Sequence, residues 1–302
     1  MLHYQNKIMV YSGCDNLKMT DSKPETNFSK IDIEGSVATI TLNREQVYNA
    51  LNDDLINELI QLLIWTKKRS VGENNDLQDS NGDQFLRILV LKSNGKHFCA
   101  GADINMMREA GSKTVEQNRQ DSGRLDKLFY SLWEHPCFTI GTIQGVALGG
   151  GAGLISCLDH IIMTSDSQIA LSEAKLGILP AVIGPYVYRK VGSAQFRRLS
   201  MMASRISAKE ALRIGFANEV VDTNESFKSS VEKIINEVMS TGPMAISEAK
   251  KLTLIFDRWN GDDFELRQFT LDKTSEMRGS KEGQEGLSSF LERRRPNWSS
   301  EE

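Results

Sequence analysis

Hydrophobic and polar positions change period several times along the chain. Ile31 and Ile33, a Glu34-Gly35 turn and the alternation from Val37 to Leu42 predict a β-hairpin. Ile56, Leu59, Ile60 and Leu63 then recur at helical spacing. Asn52, Asp53 or Asp54 can cap that helix, and Lys67, Lys68 and Arg69 suit its negative end. The stretch from Ser70 to Gln84 has almost no apolar residue and is expected to be an exposed, mobile loop. Residues 86–92, LRILVLK, predict a short buried strand, and residues 104–134 a helix with polar interruptions at Gly111 and Ser112. The apolar run after Cys137, Ile161-Ile162-Met163 and Ile169-Ala170-Leu171 predict further strands. From Ser193 onward the pattern is mostly helical, at 194–202, 207–214, 226–240, 243–257, 262–277 and 281–294.

Strands alternating with helices, followed by a helical tail, argue for an α/β protein without internal repeats. Three regions follow: 1–28 as an extension or disordered segment, 29–192 as a core, and 193–302 as a C-terminal helical region. Residues 1–28 are polar and aperiodic with no apolar signal-like core, so no secretory signal is expected. Met19 looks like a more natural start, leaving 1–18 as an upstream extension.

Candidate chemistry enters with the glycines. Gly149-Gly150-Gly151 stands directly after a strand-like run and directly before a helix-like one. Glycine at such a turn lets a ligand approach the backbone, and the first N–H groups of a helix have no partner within it. A second turn of this kind occurs at Gly101-Ala102-Asp103. Two such turns can aim two N–H donors at one oxygen, the arrangement of an oxyanion hole. Some twenty residues past the triplet comes Glu173, a lone carboxylate in an apolar setting, where burial would raise its pKa toward general acid/base work. The competing reading of Glu173 is a surface carboxylate paired with Lys175.

Residues 43–51 (NREQVYNAL), 97–104 (HFCAGADI) and 145–151 (GVALGGG), in that order, resemble the enoyl-CoA hydratase/isomerase (crotonase) superfamily. The resemblance covers about residues 29–298. It implies a crotonase (ClpP-like) spiral of ββα units with a C-terminal helical trimerisation region. It further implies an acyl-CoA thioester as partner, with coenzyme A as part of the substrate and no other cofactor. On the matching positions, Ala102 and Gly150 supply the two oxyanion N–H groups and Glu173 carries the proton. Arg44, Ala50, Ala100, Asp103 and Ile104, with Gly149 and Gly153, line the CoA and substrate groove. Arg293 matches a phosphate contact made to a neighbouring subunit, the alternative being a solvated basic helix end. The motif around Arg44 has Glu45 where the family commonly has Pro. The segment from Leu171 to Tyr186 most resembles bacterial methylglutaconyl-CoA and carboxygeranoyl-CoA hydratases, which implies a branched substrate and a place in fatty-acid metabolism or leucine degradation.

Composition narrows the field without naming an activity. A chain of 302 residues, 40% hydrophobic and 25% charged, is ordinary for a globular protein. A net charge of −4 lacks the basic footprint of nucleic-acid binding, and no apolar run approaches the length of a membrane span. Cys14, Cys99, Cys137 and Cys157 have no CxxC spacing and are expected to be reduced small hydrophobes of a cytoplasmic protein. His97, His135 and His160 show no metal-ligand spacing, so no metal is expected, and Asp159 is expected to be structural.

One departure changes the chemistry. The best-known hydratases of the superfamily carry a second Glu where this chain has Gly153. Hydration by one carboxylate is the expected activity. A Δ3,Δ2-enoyl-CoA isomerase, which moves one proton between two carbons, is the first alternative, and a non-catalytic acyl-CoA-binding relative the second. The resemblance also implies a homotrimer or a dimer of trimers.

Overall fold

The computed structural model describes residues 22–299, so the expectations for residues 1–18 and for Cys14 lie outside the described residues. Residues ahead of the expected boundary at 28 are already tied to the fold. The Glu58 carboxylate accepts hydrogen bonds from the Asn27 and Phe28 N–H groups and the Ser29 hydroxyl, tying this entry segment to the first helix.

The elements run β1 (Ser29–Glu34), β2 (Val37–Leu42), α1 (Asp53–Lys68), α2 (Val71–Asn74) and β3 (Ile88–Ser93). Then come α3 (Ile104–Ala110), α4 (Val115–Trp133), β4 (Phe138–Ile143), β5 (Val146–Leu148) and α5 (Gly150–Ser156). They continue as β6 (His160–Thr164), β7 (Gln168–Ala170), α6 (Gly184–Met202), β8 (Ile206–Ser207), α7 (Ala208–Arg213) and β9 (Glu219–Val221). Helices α8 (Ser226–Met239), α9 (Pro243–Asp257), α10 (Asp263–Gly279) and α11 (Lys281–Glu292) close the described chain.

One sheet has six strands in the order β1-β2-β3-β4-β6-β9, antiparallel only between β1 and β2. A second has three, β5-β7-β8. Each of the successive units β4-β5-α5 and β6-β7-α6 sends its first strand to the large sheet and its second to the small one, then adds a helix. This is the ββα spiral that the resemblance implies. Strand alternation explains why the large sheet is covered on both faces. Leu89, Leu91, Ile161 and Met163 enter the main core with α1, α4 and α5, whereas Ile88, Val90, Ile140 and Ile162 meet Ile234 and Val238 of α8.

Several expectations change here. Residues 70–84 are not a wholly exposed loop: Ser70 and Val71 are buried, and Val71 opens α2. A bridge between Ser70 and Leu86 anchors the far side of the segment. The region after 192 is mostly helical, as expected, but the short strands β8 and β9 also lie in it, and β9 pairs with β6. The expected boundary at 192 falls inside α6, where Gly192 has φ 73° and kinks the helix. Asp159 is structural as expected. It accepts from the Thr139 N–H and hydroxyl and pairs with Lys250 of α9 at 2.6 Å. Cys99, Cys137 and Cys157 are buried and free, and burial pushes the Cys99 and Cys137 thiols up to about 12.

Candidate active site

Three extended segments lie side by side and end at one level. Residues 98–100 run parallel to β5, with the Phe98 N–H donating to the Gln144 carbonyl, Cys99 to Val146 and Leu148 back to Cys99. On the other side of β5 lies β7, also parallel, with Ala147 opposite Ile169. Counting forward three residues from the row Cys99, Ala147 and Ile169 gives Ala102, Gly150 and Ser172, with Glu173 next. Parallel pairing thus brings the ends of the three segments together, and with them the turns that carry the two predicted donors and the predicted carboxylate.

Both turns require glycine. Gly149 has φ 48° and ψ −114°, a region that side chains rarely enter, and a Cβ there would lie 3.2 Å from the Glu173 Oε1. Gly101 has φ 98°, and its Cβ would stand 2.8 Å from the Leu148 carbonyl oxygen. The turns pack directly against each other. Leu51 bridges Ala102, while its Cδ1 lies 3.0 Å from where a Gly150 Cβ would be.

The donors arise differently from what the sequence suggests. Gly150 is the first residue of α5, as expected. Ala102, however, precedes α3, whose cap is Asp103. Ala102 belongs instead to a parallel bridge in which the Leu51 N–H donates to the Gly101 carbonyl and the Asp103 N–H to the Leu51 carbonyl. That pattern turns the Ala102 N–H away from Leu51. Among the described residues, neither the Ala102 nor the Gly150 N–H donates to any protein acceptor.

Glu173 opens a single 3-10 turn, Glu173–Leu176. Its Oε2 is buried without a hydrogen-bond partner, and it forms no ion pair among the described residues, so the pairing with Lys175 is not realised. Burial raises the carboxyl above its ordinary value, against a smaller pull from its own backbone N–H. Apolar surface stays exposed on the flanking segments, at Ile104 after the first turn and at Leu176, Ile178 and Leu179 after the carboxylate.

Other predicted residues take different parts. Arg44 is a brace: its Nη1 donates to Asp103 Oδ2 at 2.6 Å and to the Ala50 carbonyl at 2.9 Å. Asp103 in turn caps α3 through the Asn105 N–H. Ala50 is buried and its carbonyl is thus occupied, while the Ala100 N–H is held by the Tyr48 carbonyl. Burial alone would raise the Asp103 carboxyl, but the Arg44 and Asn105 hydrogen bonds hold it below the ordinary range. The ion pair therefore adds stability above the ordinary carboxylate pKa and loses it as pH falls through the lowered value. Removing one partner of a buried pair strands the other, so Arg44→Ala is expected to lose about 3 kcal/mol near neutrality. The difference between it and wild type, followed by thermal melts, should shrink on acidification below about pH 4. A gap constant with pH would refute the brace.

Gly153 is buried. It faces inward from α5, and a Cβ there would be 2.3 Å from Ile183 Cγ2 and 2.9 Å from Phe129 Cζ. Arg293 caps α11 at φ 56° and is exposed. The tail beyond it is anchored by Arg87 Nη1 donating to the Trp298 carbonyl, at the N-terminal end of β3 and so opposite Gly101. Asn49 lies in the 43–51 segment, but the sequence assigns it no role. It is fully buried at φ 53°, accepts from the Arg44 N–H, and donates to the Asn94 and His97 carbonyls. Asparagine tolerates that left-handed backbone better than most residues, which is the signal that could have marked it.

A family model described as enoyl-CoA hydratase/isomerase matches residues 32–301. A short-chain-enoyl-CoA hydratase of Clostridium acetobutylicum is 30% identical over 275 residues, covering 90% of this chain and 97% of its own. Among solved structures, an enoyl-CoA hydratase from Shewanella pealeana is 34% identical with a TM-score of 0.81, over 91% of this chain and 97% of that one. Pseudomonas aeruginosa AtuE is 31% identical with a TM-score of 0.81, over 91% of this chain and all 100% of its own. No helix among the described residues is long and apolar enough to cross a membrane.

Proposed function

The chain belongs to the enoyl-CoA hydratase/isomerase family, and from that premise we propose that it hydrates a 2-enoyl-CoA thioester with Glu173 as its one catalytic carboxylate. The observation that carries this reading is the meeting of an unpartnered buried carboxylate oxygen with two unpartnered N–H groups at one sheet edge. The thioester oxygen lies between the Ala102 and Gly150 N–H groups, which stabilise the charge it gains. Water attacks C3 as Glu173 takes one of its protons, giving an enolate. The protonated Glu173 then returns that proton to C2, so H and OH are added and the carboxylate is regenerated.

A second reading, Δ3,Δ2-enoyl-CoA isomerisation, is favoured by Gly153, because one carboxylate suffices to carry a proton between two carbons. The unpaired Glu173 speaks against a non-catalytic binding protein. The resemblance of residues 171–186 supports a branched substrate such as 3-methylglutaconyl-CoA. The name of the Clostridium relative supports a short chain. The reading needs no cofactor beyond the coenzyme A of the substrate. A homotrimer or dimer of trimers in the cytoplasm is part of it, supported by exposed Phe264, Leu271, Phe290 and Leu291 on α10 and α11.

The test is loss of conjugated enoyl absorbance with crotonyl-CoA and 3-methylglutaconyl-CoA. Loss supports hydration; gain of that absorbance from a 3-enoyl-CoA, with no loss in the first assay, would make the protein an isomerase. The pH profile adds a check. Glu173 acts first as a base, so kcat/KM should fall as pH drops through its raised pKa, with the acid limb above the ordinary Glu value of about 4.3. An acid limb at or below that value would remove the buried base from the mechanism.

A further inference from the structure

We propose that the Ser172 hydroxyl holds the nucleophilic water and so stands in for the second carboxylate that the Gly153 site has no room to house. This inference rests on the hydratase reading. Addition of water by one carboxylate leaves a geometric problem. Glu173 can accept one proton of the water, but a single hydrogen bond leaves the molecule free to swing about that axis. A second acceptor would fix its lone pair toward C3.

The space at Gly153 is closed. A Cβ there would already meet Ile183 and Phe129, both almost fully buried, so no longer side chain reaches the site from that position. Ser172 is placed where Gly153 cannot act. It follows the end of β7, whose last residue Ala170 pairs with Leu148 just before the Gly149-Gly150 turn. The three atoms nearest a notional Gly149 Cβ are Glu173 Oε1 at 3.2 Å, Ser172 Oγ at 3.6 Å and Glu173 Cδ at 3.7 Å. Hydroxyl and carboxylate thus border the same backbone point, one residue before the Gly150 donor. The hydroxyl is also free: it makes no capping hydrogen bond to the 3-10 turn it precedes, and no bond to any described residue. Serine before a turn ordinarily accepts from the following N–H groups, so an unused hydroxyl there is available for a ligand.

In the proposed step the water donates one hydrogen bond to Glu173 and the other to Ser172 Oγ. Its oxygen bonds to C3, Glu173 takes the first proton, and the second stays on the oxygen to become the product hydroxyl. Ser172 neither gains nor loses a proton. It touches the reacting water and nothing of the acyl chain.

The experiment separates water from proton transfer. Hydration of crotonyl-CoA and 3-methylglutaconyl-CoA is compared with exchange of the C2 proton of butyryl-CoA in D2O. Exchange needs Glu173 and the two N–H donors but no nucleophilic water. Ser172→Ala is expected to lower hydration kcat about tenfold or more, the value of one directed hydrogen bond, with KM and C2 exchange within about twofold of wild type. Ser172→Thr, which keeps the hydroxyl, should recover most of the lost rate. Equal losses of hydration and exchange in Ser172→Ala would overturn the proposal, because Ser172 would then act only by supporting Glu173. So would hydration at the wild-type rate in that variant, with the hydratase reading left standing. Wild-type protein that exchanges C2 protons but hydrates neither substrate would overturn the hydratase reading and the water site together.

Discussion

Glu173→Gln is expected to lower hydration kcat by about a thousandfold or more while leaving acyl-CoA binding within a few-fold. The amide keeps the shape of the carboxylate and cannot take a proton from water. The oxyanion donors are backbone groups on two other segments, so they survive the substitution. The stability change runs the other way. Burial raises the Glu173 carboxyl, so the folded state holds its proton more tightly than the unfolded chain. For an acid with a raised folded pKa, the stabilising contribution is complete below the unfolded value and is lost as pH rises through the folded one. Near neutrality the ionised form is therefore a local strain on the fold that the neutral amide relieves. Thermal melts at pH 7 should show the variant as stable as wild type or slightly more so, the usual relation between a catalytic group and its fold. A variant that retained wild-type kcat would end the proton-carrier assignment. One that lost activity together with several degrees of Tm would point to a structural role instead.

The same residue shows how far a sequence alone can be read. Gly101, Gly149 and Glu173 were legible because local rules mark them: glycine at a strand end, and a carboxylate in an apolar run. The parallel register that aligns Cys99, Ala147 and Ile169 was not, because it joins segments distant in the chain. For that reason Ala102 looked like a helix-terminal donor, whereas the Leu51 bridge is what frees its N–H. Helix α1 was legible down to its cap, with Asn52 accepting from the Leu55 N–H and Ile56, Leu59, Ile60 and Leu63 all buried. Strands β8 and β9 were not, since two or three residues carry no usable period and their pairing comes from β7 and β6. The place of Arg44 beside the coenzyme comes from the family resemblance of its motif, which says nothing of its partners within the chain. Only coordinates reveal that Asp103 and the Ala50 carbonyl already engage it.

Gly153→Glu, which restores the carboxylate of the best-known hydratases, is expected to destabilise the protein strongly rather than improve it. The Cβ alone would sit 2.3 Å from Ile183 Cγ2 and 2.9 Å from Phe129 Cζ. Ile183 precedes α6, and Phe129 packs edge-on against Tyr186 of that helix with ring centroids 6.1 Å apart, so neither can withdraw without moving α6 from α4. Overpacking of this kind loses roughly 1–3 kcal/mol, and an unpaired charge in an apolar site several more, for a total of about 5 kcal/mol or above. Against a typical margin of about 5–15 kcal/mol, that removes roughly a third of the stability or more, and all of it at the low end. Gly153→Ala separates the two parts, because it meets the same first contact without the charge and should lose only the steric share. If Ile183 is the obstacle, Gly153→Ala should be less harmful in an Ile183→Ala background than alone, a coupling readable in a double-mutant cycle by urea denaturation. A Gly153→Glu protein with the wild-type unfolding midpoint and faster hydration would mean that α5 and α6 part to admit a second carboxylate. Without such parting, the packing of α4, α5 and α6 leaves no room for a second carboxylate at position 153, and under the hydratase reading Ser172 is the group proposed to direct the water.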